Sequence, residues 1–388
     1  MHARRMKPDP ARRRVLSALG SGLSAAAIGI PLNARSAERD ITVAMVLPLQ
    51  GTQAKQAESV RQGVDGAIEQ ANKSGGIKGR PLKFLVLDNE YQPDKTVAAI
   101  NTLAKNESVV AMTSLLGGPN IGAAIPVATQ AGLPIVGVLH GNDAFRAPGT
   151  EILTHVRASF DGEFRAIAAV FPTIGRRRVA ALHATDKSGQ AFLAQLESVL
   201  KAHGLPLVAA VPYEREATDY SEQARTVQRS GADLLVVGGV TGPGIAAIRA
   251  KNATGLNAQL VCLSTADDRA IWDLLGPAAI GTAFSCIVPN PYATLLPLAR
   301  EYQAAMAARR YEQISLSSFE GYINMRVLLE ALRRAPAIER SAVQATLRGM
   351  RAGPLGGINF SAPANGAAAT GINVSDILMM TRQGRMLR

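Results

Sequence analysis

Aromatic residues are scarce in this 388-residue chain: nine Phe, seven Tyr and one Trp make up 4% of it. With 47% hydrophobic residues overall, the core must be built from Ala, Val, Leu and Ile. Cysteine is scarcer still. Cys262 and Cys286 lie in the strand-like runs QLVCLS and TAFSCIV. An oxidising compartment permits a disulfide between them, but Cys also behaves as a small buried hydrophobe, and two buried thiols is the simpler reading. The five His are scattered and neither Cys has a metal-ligand spacing, which argues against a zinc site. Enzyme templates are missing too. There is no Gly-x-Ser-x-Gly elbow and no phosphate loop ending Gly-Lys-Ser/Thr. The glycine-rich stretch Gly238–Gly244 misses the dinucleotide fingerprint and reads as a turn and helix start. No His or Cys is paired with an obvious base. The expectation is a protein that is not an enzyme and carries no cofactor and no metal.

Acidic charge is also short, leaving a formal net charge of +12. That balance invites a nucleic-acid reading, but its distribution removes it. Residues 1–36 hold seven basic residues against Asp9 alone, so half of the excess lies in that segment. The rest is scattered, apart from Arg176-Arg177-Arg178 and Arg333-Arg334, without the interleaved aromatics of single-stranded nucleic-acid sites. No nucleic-acid partner is expected. Residues 1–36 read as an export signal. A basic region ends at Arg12-Arg13-Arg14-Val15-Leu16, a weakly apolar run of Gly, Ser and Ala follows, and small residues stand at −3 and −1 for a cut after Ser36. The arginine pair followed by apolar residues resembles a twin-arginine (Tat) signal. The apolar run is too short and weak for a membrane anchor, and no other stretch approaches the roughly 18 apolar residues of a spanning helix.

What is there is a βα rhythm. ITVAMVL (41–47) is a continuous apolar run ending at Pro48 and Gly51, the pattern of a buried strand. Val60, Val64, Ala67, Ile68 and Ala71 then mark one face of an amphipathic helix. Asn72–Gly76 stops it, and LKFLVLD begins a second strand, which makes a βαβ unit. Further strands are expected at 109–114, 133–139, 177–184, 205–213, 232–239, 258–264 and 281–288. Helices fall between them, and 151–159 is extended. After Pro289-Asn290-Pro291 come helices near 293–309, 315–335 and 339–348, then strand-like GGINFS and INVSDILMMTRQGRML. Two βα sets separated near 155–161 predict two Rossmann-like α/β lobes with parallel sheets. The late helices need a sheet to cover, and the first lobe is the better recipient. The chain would then cross between lobes near 157–161, 286–291 and 355, forming a three-strand hinge around a cleft.

The order of these motifs goes further than their pattern. Strand–Pro-Leu-Gln-Gly–helix–Asn72-Lys-Ser-Gly-Gly-Ile-Lys-Gly-Arg-Pro-Leu–strand–Asp88-Asn89, with Pro93 beyond, resembles the start of the periplasmic solute-binding proteins of the Leu/Ile/Val-binding type. SLLGGPNIGAAIPVATQAGLPIVGVLHGNDAFR, HVRASFDGEF, IVPNP and FEGYINMRVLLEALRRA continue the match over roughly 41–388. The resemblance implies the type 1 periplasmic-binding fold. The domains expected are an export signal at 1–36, lobe 1 at 37–157 plus 289–355, and lobe 2 at 158–288 plus 356–388.

The resemblance also nominates a site. Gly117-Gly118-Pro119-Asn120 opens a helix where relatives hold a ligand carboxylate. A helix N-terminus offers free N–H groups and partial positive charge. Asn120 reads equally as a plain N-cap. Leu139-His140-Gly141 stands where relatives contact ligand through a Thr hydroxyl, and His140 substitutes an imidazole. Gln50 replaces the usual Ser or Thr, and Ser188 replaces an aromatic lid residue. Asp267, beside Asp268, lies near the acidic partner for a ligand ammonium, although both also suit the first turn of a helix. Thr218-Asp219-Tyr220 looks like the family's Thr-Asp-Phe and is read as a cap.

The function implied is that of a monomeric, periplasmic substrate-binding protein, cleaved near Ser36/Ala37. It would capture a small carboxylate or amino-acid-like ligand by hinge closure and deliver it to an ABC permease of the inner membrane. A ligand-sensing module of the same fold is the alternative, and a cytoplasmic nucleotide-fold enzyme fits less well. With an imidazole gained at His140 and a ring lost at Ser188, the ligand expected is a carboxylate bulkier or more polar than leucine. If the Tat reading holds, replacing Arg12 and Arg13 by Lys leaves precursor in the cytoplasm. Export that survives the Lys pair but stops with a Sec inhibitor overturns it.

Overall fold

The computed structural model describes residues 40–214, 217–311, 314–350, 353–360 and 376–387. The export signal expected at 1–36, and residues 361–375 of the strand-like tail, lie outside them. The first lobe holds a parallel sheet of β1 (Ile41–Leu47), β2 (Leu82–Asp88), β3 (Val109–Thr113), β4 (Ile135–Val136) and β5 (Leu153–Thr154), in the order β2-β1-β3-β4-β5. Helices α1 (Ala54–Lys73), α2 (Pro93–Ala104) and α3 (Gly118–Ala131) connect the strands. All seven residues of β1 are buried. A central strand covered on both faces has no polar side, which is why its sequence is apolar apart from Thr42, whose hydroxyl meets Ser108 Oγ at 3.1 Å.

The chain then builds a second lobe. Helix α4 (Phe160–Val170) leads into β6 (Val179–Ala184), α5 (Lys187–Ala202), β7 (Leu207–Tyr213), α6 (Ser221–Arg229), β8 (Leu234–Val237), α7 (Thr241–Thr254), β9 (Gln259–Cys262), α8 (Asp268–Leu275) and β10 (Ala283–Cys286). Three further helices follow: α9 (Pro297–Ala308), α10 (Leu316–Arg334) and α11 (Arg340–Gly349). A hairpin of β11 (Gly353–Leu355) and β12 (Ile358–Phe360) comes next, and β13 (Asp376–Met380) and β14 (Met386–Leu387) close the chain. The second sheet runs β14-β13-β10-β9-β8-β6-β7, parallel except that β13 runs antiparallel to both its neighbours, β10 and β14. Cys262 and Cys286 are both buried and free, and burial pushes the Cys262 thiol up to about 12.

Helices α9 and α10 pack on α1, and α10 also reaches β3 and β4. The α1–α10 contact is backbone on backbone. A Cβ on Gly63 would stand 1.8 Å from the Ser318 carbonyl oxygen, and one on Gly321 would stand 2.3 Å from that of Val60. The strand expected at 133–139 shortens to Ile135–Val136 for a related reason. Asn324 of α10 donates through Nδ2 to the Gly137 carbonyl (3.1 Å) and to Ser114 Oγ (3.1 Å), filling the place where the ladder would continue. A single bridge, Leu116 to Leu139, resumes it.

Arg157 lies in the first crossing segment, between β5 and α4, and is 1% exposed. Its Nε and Nη2 donate to the two oxygens of Glu320 on α10, at 2.8 and 2.7 Å. Its Nη1 donates to Ser264 Oγ just beyond β9 (3.2 Å). Burial works against the guanidinium charge, and the Glu320 carboxylate outweighs it, raising the Arg157 pKa. Ser264 in turn donates through its backbone N–H and its hydroxyl to Glu163 of α4, at 3.0 and 2.8 Å. One buried polar cluster therefore joins the crossing segment to both lobes. Removing one member of a buried ion pair strands the other charge, typically at a cost of about 3–5 kcal/mol. Glu320→Ala is expected to lose stability on that scale in chemical denaturation. The Arg157→Met, Glu320→Leu double variant should lose less than the single change, and a larger loss in the double variant would contradict this account.

Candidate functional site

Parallel sheets offer ligand crevices beyond the C-terminal ends of their strands, where the strand order reverses. Here the reversals fall between β1 and β3 and between β6 and β8. The loops leaving β3, β6 and β8, with the one after β4, meet at a small cavity between the lobes, with about 30 Å³ of free space. From the first lobe come Gly118, at the start of α3, and His140. From the second come Ser188 and Gly189, at the start of α5, and Val240, just before α7. Three helices thus begin at the cavity and aim the positive ends of their dipoles towards it. The lobes touch across it, with His140 Nε2 3.5 Å from Ser188 Oγ. A Cβ on Gly118 would stand 2.9 Å from that hydroxyl and 3.0 Å from Nε2, so this position needs glycine for the close approach.

The protonation of His140 follows from its partners. The backbone N–H of Asn142 donates to Nδ1 at 3.2 Å. A neutral imidazole that accepts at Nδ1 carries its proton on Nε2, so His140 presents an N–H donor towards Ser188 and the cavity. Aromatic rings form the walls. Tyr91, Phe160, Phe192 and Tyr213 line the cavity, four of the seventeen aromatic residues in the whole chain. His140 meets Phe160 edge-on with centroids 5.0 Å apart, and Phe160 meets Phe192 likewise at 6.3 Å. These four rings were missed in the sequence. They restore the apolar wall whose loss Ser188 had implied.

Other nominated residues stand elsewhere. Gly117 lies beneath the Tyr91 ring and is the N-cap of α3, in place of Asn120. Asn120 is inside the helix, and its Nδ2 donates to the Leu116 carbonyl (3.0 Å), so it is not the cap. Leu139 is buried in the core, and the Gly141 carbonyl accepts from the Phe160 N–H (2.7 Å). Gln50 is exposed beside Asp88, to which it hydrogen-bonds. Asp219 accepts from the Ser221 N–H (2.9 Å), but the N-cap of α6 is Tyr220, which has no side-chain cap bond. Among the described residues no Asp or Glu lines the cavity.

Asp267 belongs to a polar seam where the lobes meet. Gln56 of α1 donates to the Thr265 carbonyl (2.8 Å) and accepts from the Thr241 hydroxyl (3.1 Å). That hydroxyl accepts from the Asp267 N–H (3.0 Å), and the Asp267 carboxylate caps α8 through the Ala270 N–H (2.5 Å). Asp268 accepts from the Leu316 N–H at the start of α10 (3.1 Å). Burial raises both carboxylates, and with the Asp267 charge added, Asp268 is pushed up to about 7. Further out, Tyr91 and Val240 also line a second, largely apolar cavity of about 510 Å³ between the lobes.

A family model described as "periplasmic binding protein" matches residues 40–378. The chain is 25% identical over 350 residues to a "Leu/Ile/Val-binding protein homolog 3" of Brucella melitensis, covering 85% of this chain and 88% of the relative. It superposes with a TM-score of 0.82 and 26% identity on a crystal structure of a substrate-binding periplasmic protein from Ralstonia solanacearum, over 90% of this chain and 99% of that one. An extracellular ligand-binding receptor from Verminephrobacter eiseniae gives 0.83 at 24% identity, over 90% and 100%.

The seam carries a pH signature. A carboxyl raised in the folded state stabilises that state below its ordinary range, and the contribution is lost as pH rises to the folded value. For Asp268 that window runs from about 4 to about 7. Thermal unfolding across it is expected to show a shallower loss of stability with rising pH in Asp268→Asn, whose neutral amide mimics the protonated acid, than in the unmodified chain. Equal slopes would rule out this role for Asp268.

Proposed function

The chain belongs to the periplasmic binding protein family, of the Leu/Ile/Val-binding type, whose members are binding proteins and not enzymes, and on that premise we propose that it is the extracytoplasmic substrate-binding protein of an ABC importer. It captures a small carboxylate or amino-acid-like ligand between its lobes and hands it, as a monomer, to a permease in the inner membrane. The carrying observation is the convergence of His140 Nε2–H, the Ser188 hydroxyl and the starts of α3, α5 and α7 on one cavity. Hydrogen-bond donors from both lobes aimed at one point suit an anion held by both at once.

Such a ligand drives closure because it binds the closed arrangement better than the open one. The three passages of the chain between lobes are the hinge. Gly118 and Ser188 are the facing surfaces, one on each lobe. Export by the segment at 1–36 places the protein in the periplasm, beside its permease.

Calorimetry with a panel of small carboxylates and amino acids tests the assignment. His140→Ala is expected to weaken binding of whichever ligand the panel reveals by about 1–3 kcal/mol, the cost of losing a buried hydrogen bond. Small-angle scattering should show a smaller radius of gyration at saturation. Binding unaffected by His140→Ala would remove the cavity from the site, and an unchanged radius would remove hinge closure.

A further inference from the structure

The inner cavity is the narrower of the two. About 30 Å³ admits one or two water-sized groups, the scale of a carboxylate rather than of an amino acid. Beside it, sharing Tyr91 and Val240 as a common wall, lies the cavity of about 510 Å³. That volume is ordinary for a small-molecule site, roughly 300–1,000 Å³. Apolar side chains make up most of its lining, with Thr52, Gln53, Asp186, Thr218 and Arg249 at its polar part. Pro119 comes from the first lobe, and Pro243, Ile245, Ala246 and Leu274 from the second. Leu274 is a large apolar side chain that is 49% exposed. The inner cavity offers donors from His140 and Ser188 and, among the described residues, no acidic side chain to pair with an ammonium. Asp267, the nominated partner for such a group, is fully buried in the interlobe seam and already caps α8.

Building on the carboxylate-binding reading above, we infer that the ligand is an amphipathic monocarboxylic acid without an α-ammonium. Its carboxylate occupies the inner cavity against His140 and Ser188. Its apolar body passes Tyr91 and fills the outer cavity. The outer cavity is then a second subsite that selects for ligand length, while the inner one selects for charge.

Isothermal titration of the mature chain with linear monocarboxylates from butanoate to decanoate, and with their 2-amino counterparts, tests this. Affinity is expected to rise about fourfold per added methylene, the value of about 0.8 kcal/mol per buried CH₂. Each 2-amino acid should bind at least tenfold more weakly than its parent. Ile245→Glu and Leu274→Glu, at half-buried and exposed positions, should flatten the length dependence while sparing butanoate. His140→Ala should weaken every chain length alike. If butanoate binds but affinity does not rise with length, or the two Glu variants leave the rise intact, the outer subsite is overturned and the carboxylate site stands. If the 2-amino acids bind more tightly than their parents, the exclusion of an ammonium is overturned. If no acid of any length binds, this inference falls together with the carboxylate reading on which it rests.

Discussion

The arrangement of both lobes depends on one buried charge. Arg157 sits where the chain first leaves the first sheet, with no access to water. A guanidinium there is tolerable only if its donors are met, and they are met from both sides: Glu320 of α10 and Ser264 beyond β9. Glu163 extends the cluster, accepting from Ser264 and from the Ser285 hydroxyl at β10. Burial pushes Glu163 above its ordinary range, with Arg157 and the serine donors pulling the other way. Such a cluster contributes little net stability against an apolar alternative. Its strength lies in direction, since few placements of the crossing segment satisfy all of these groups at once.

That constraint positions the cavity. Arg157 is three residues from Phe160, whose ring forms a wall and meets His140. The Phe160 N–H donates to the Gly141 carbonyl, so the end of the His140 loop is tied to the first turn of α4. The cluster that fixes the crossing thus also fixes the distance between the His140 donor and Ser188. The Asn142 N–H completes the geometry by holding the imidazole in the tautomer that points its proton across the cleft.

The seam of Gln56, Thr241, Asp267 and Asp268 closes the other side. Here the groups on facing lobes are neutral amides, hydroxyls and backbone N–H groups, together with two carboxyls that burial holds towards the neutral form. An interface of this kind exchanges its hydrogen bonds for water at little net cost.

The sequence by itself determined the α/β class, the two-lobe division and nearly every element, because buried parallel strands and amphipathic helices leave periodicities that no tertiary contact is needed to read. Gly118, His140 and Ser188 were nominated from motif order, and these three line one cavity. Only the tertiary structure decided what surrounds them. The rings of Tyr91, Phe160, Phe192 and Tyr213 come from four separate segments, so no local spacing links them. Asn324 shortens β4 from 187 residues away in the chain. Asp267 carries the same helix-start signal whether it faces a cleft or a buried seam, and burial alone tells the two apart. Periodicity records which face of an element is covered, whereas the identity of the covering residue is a property of the fold.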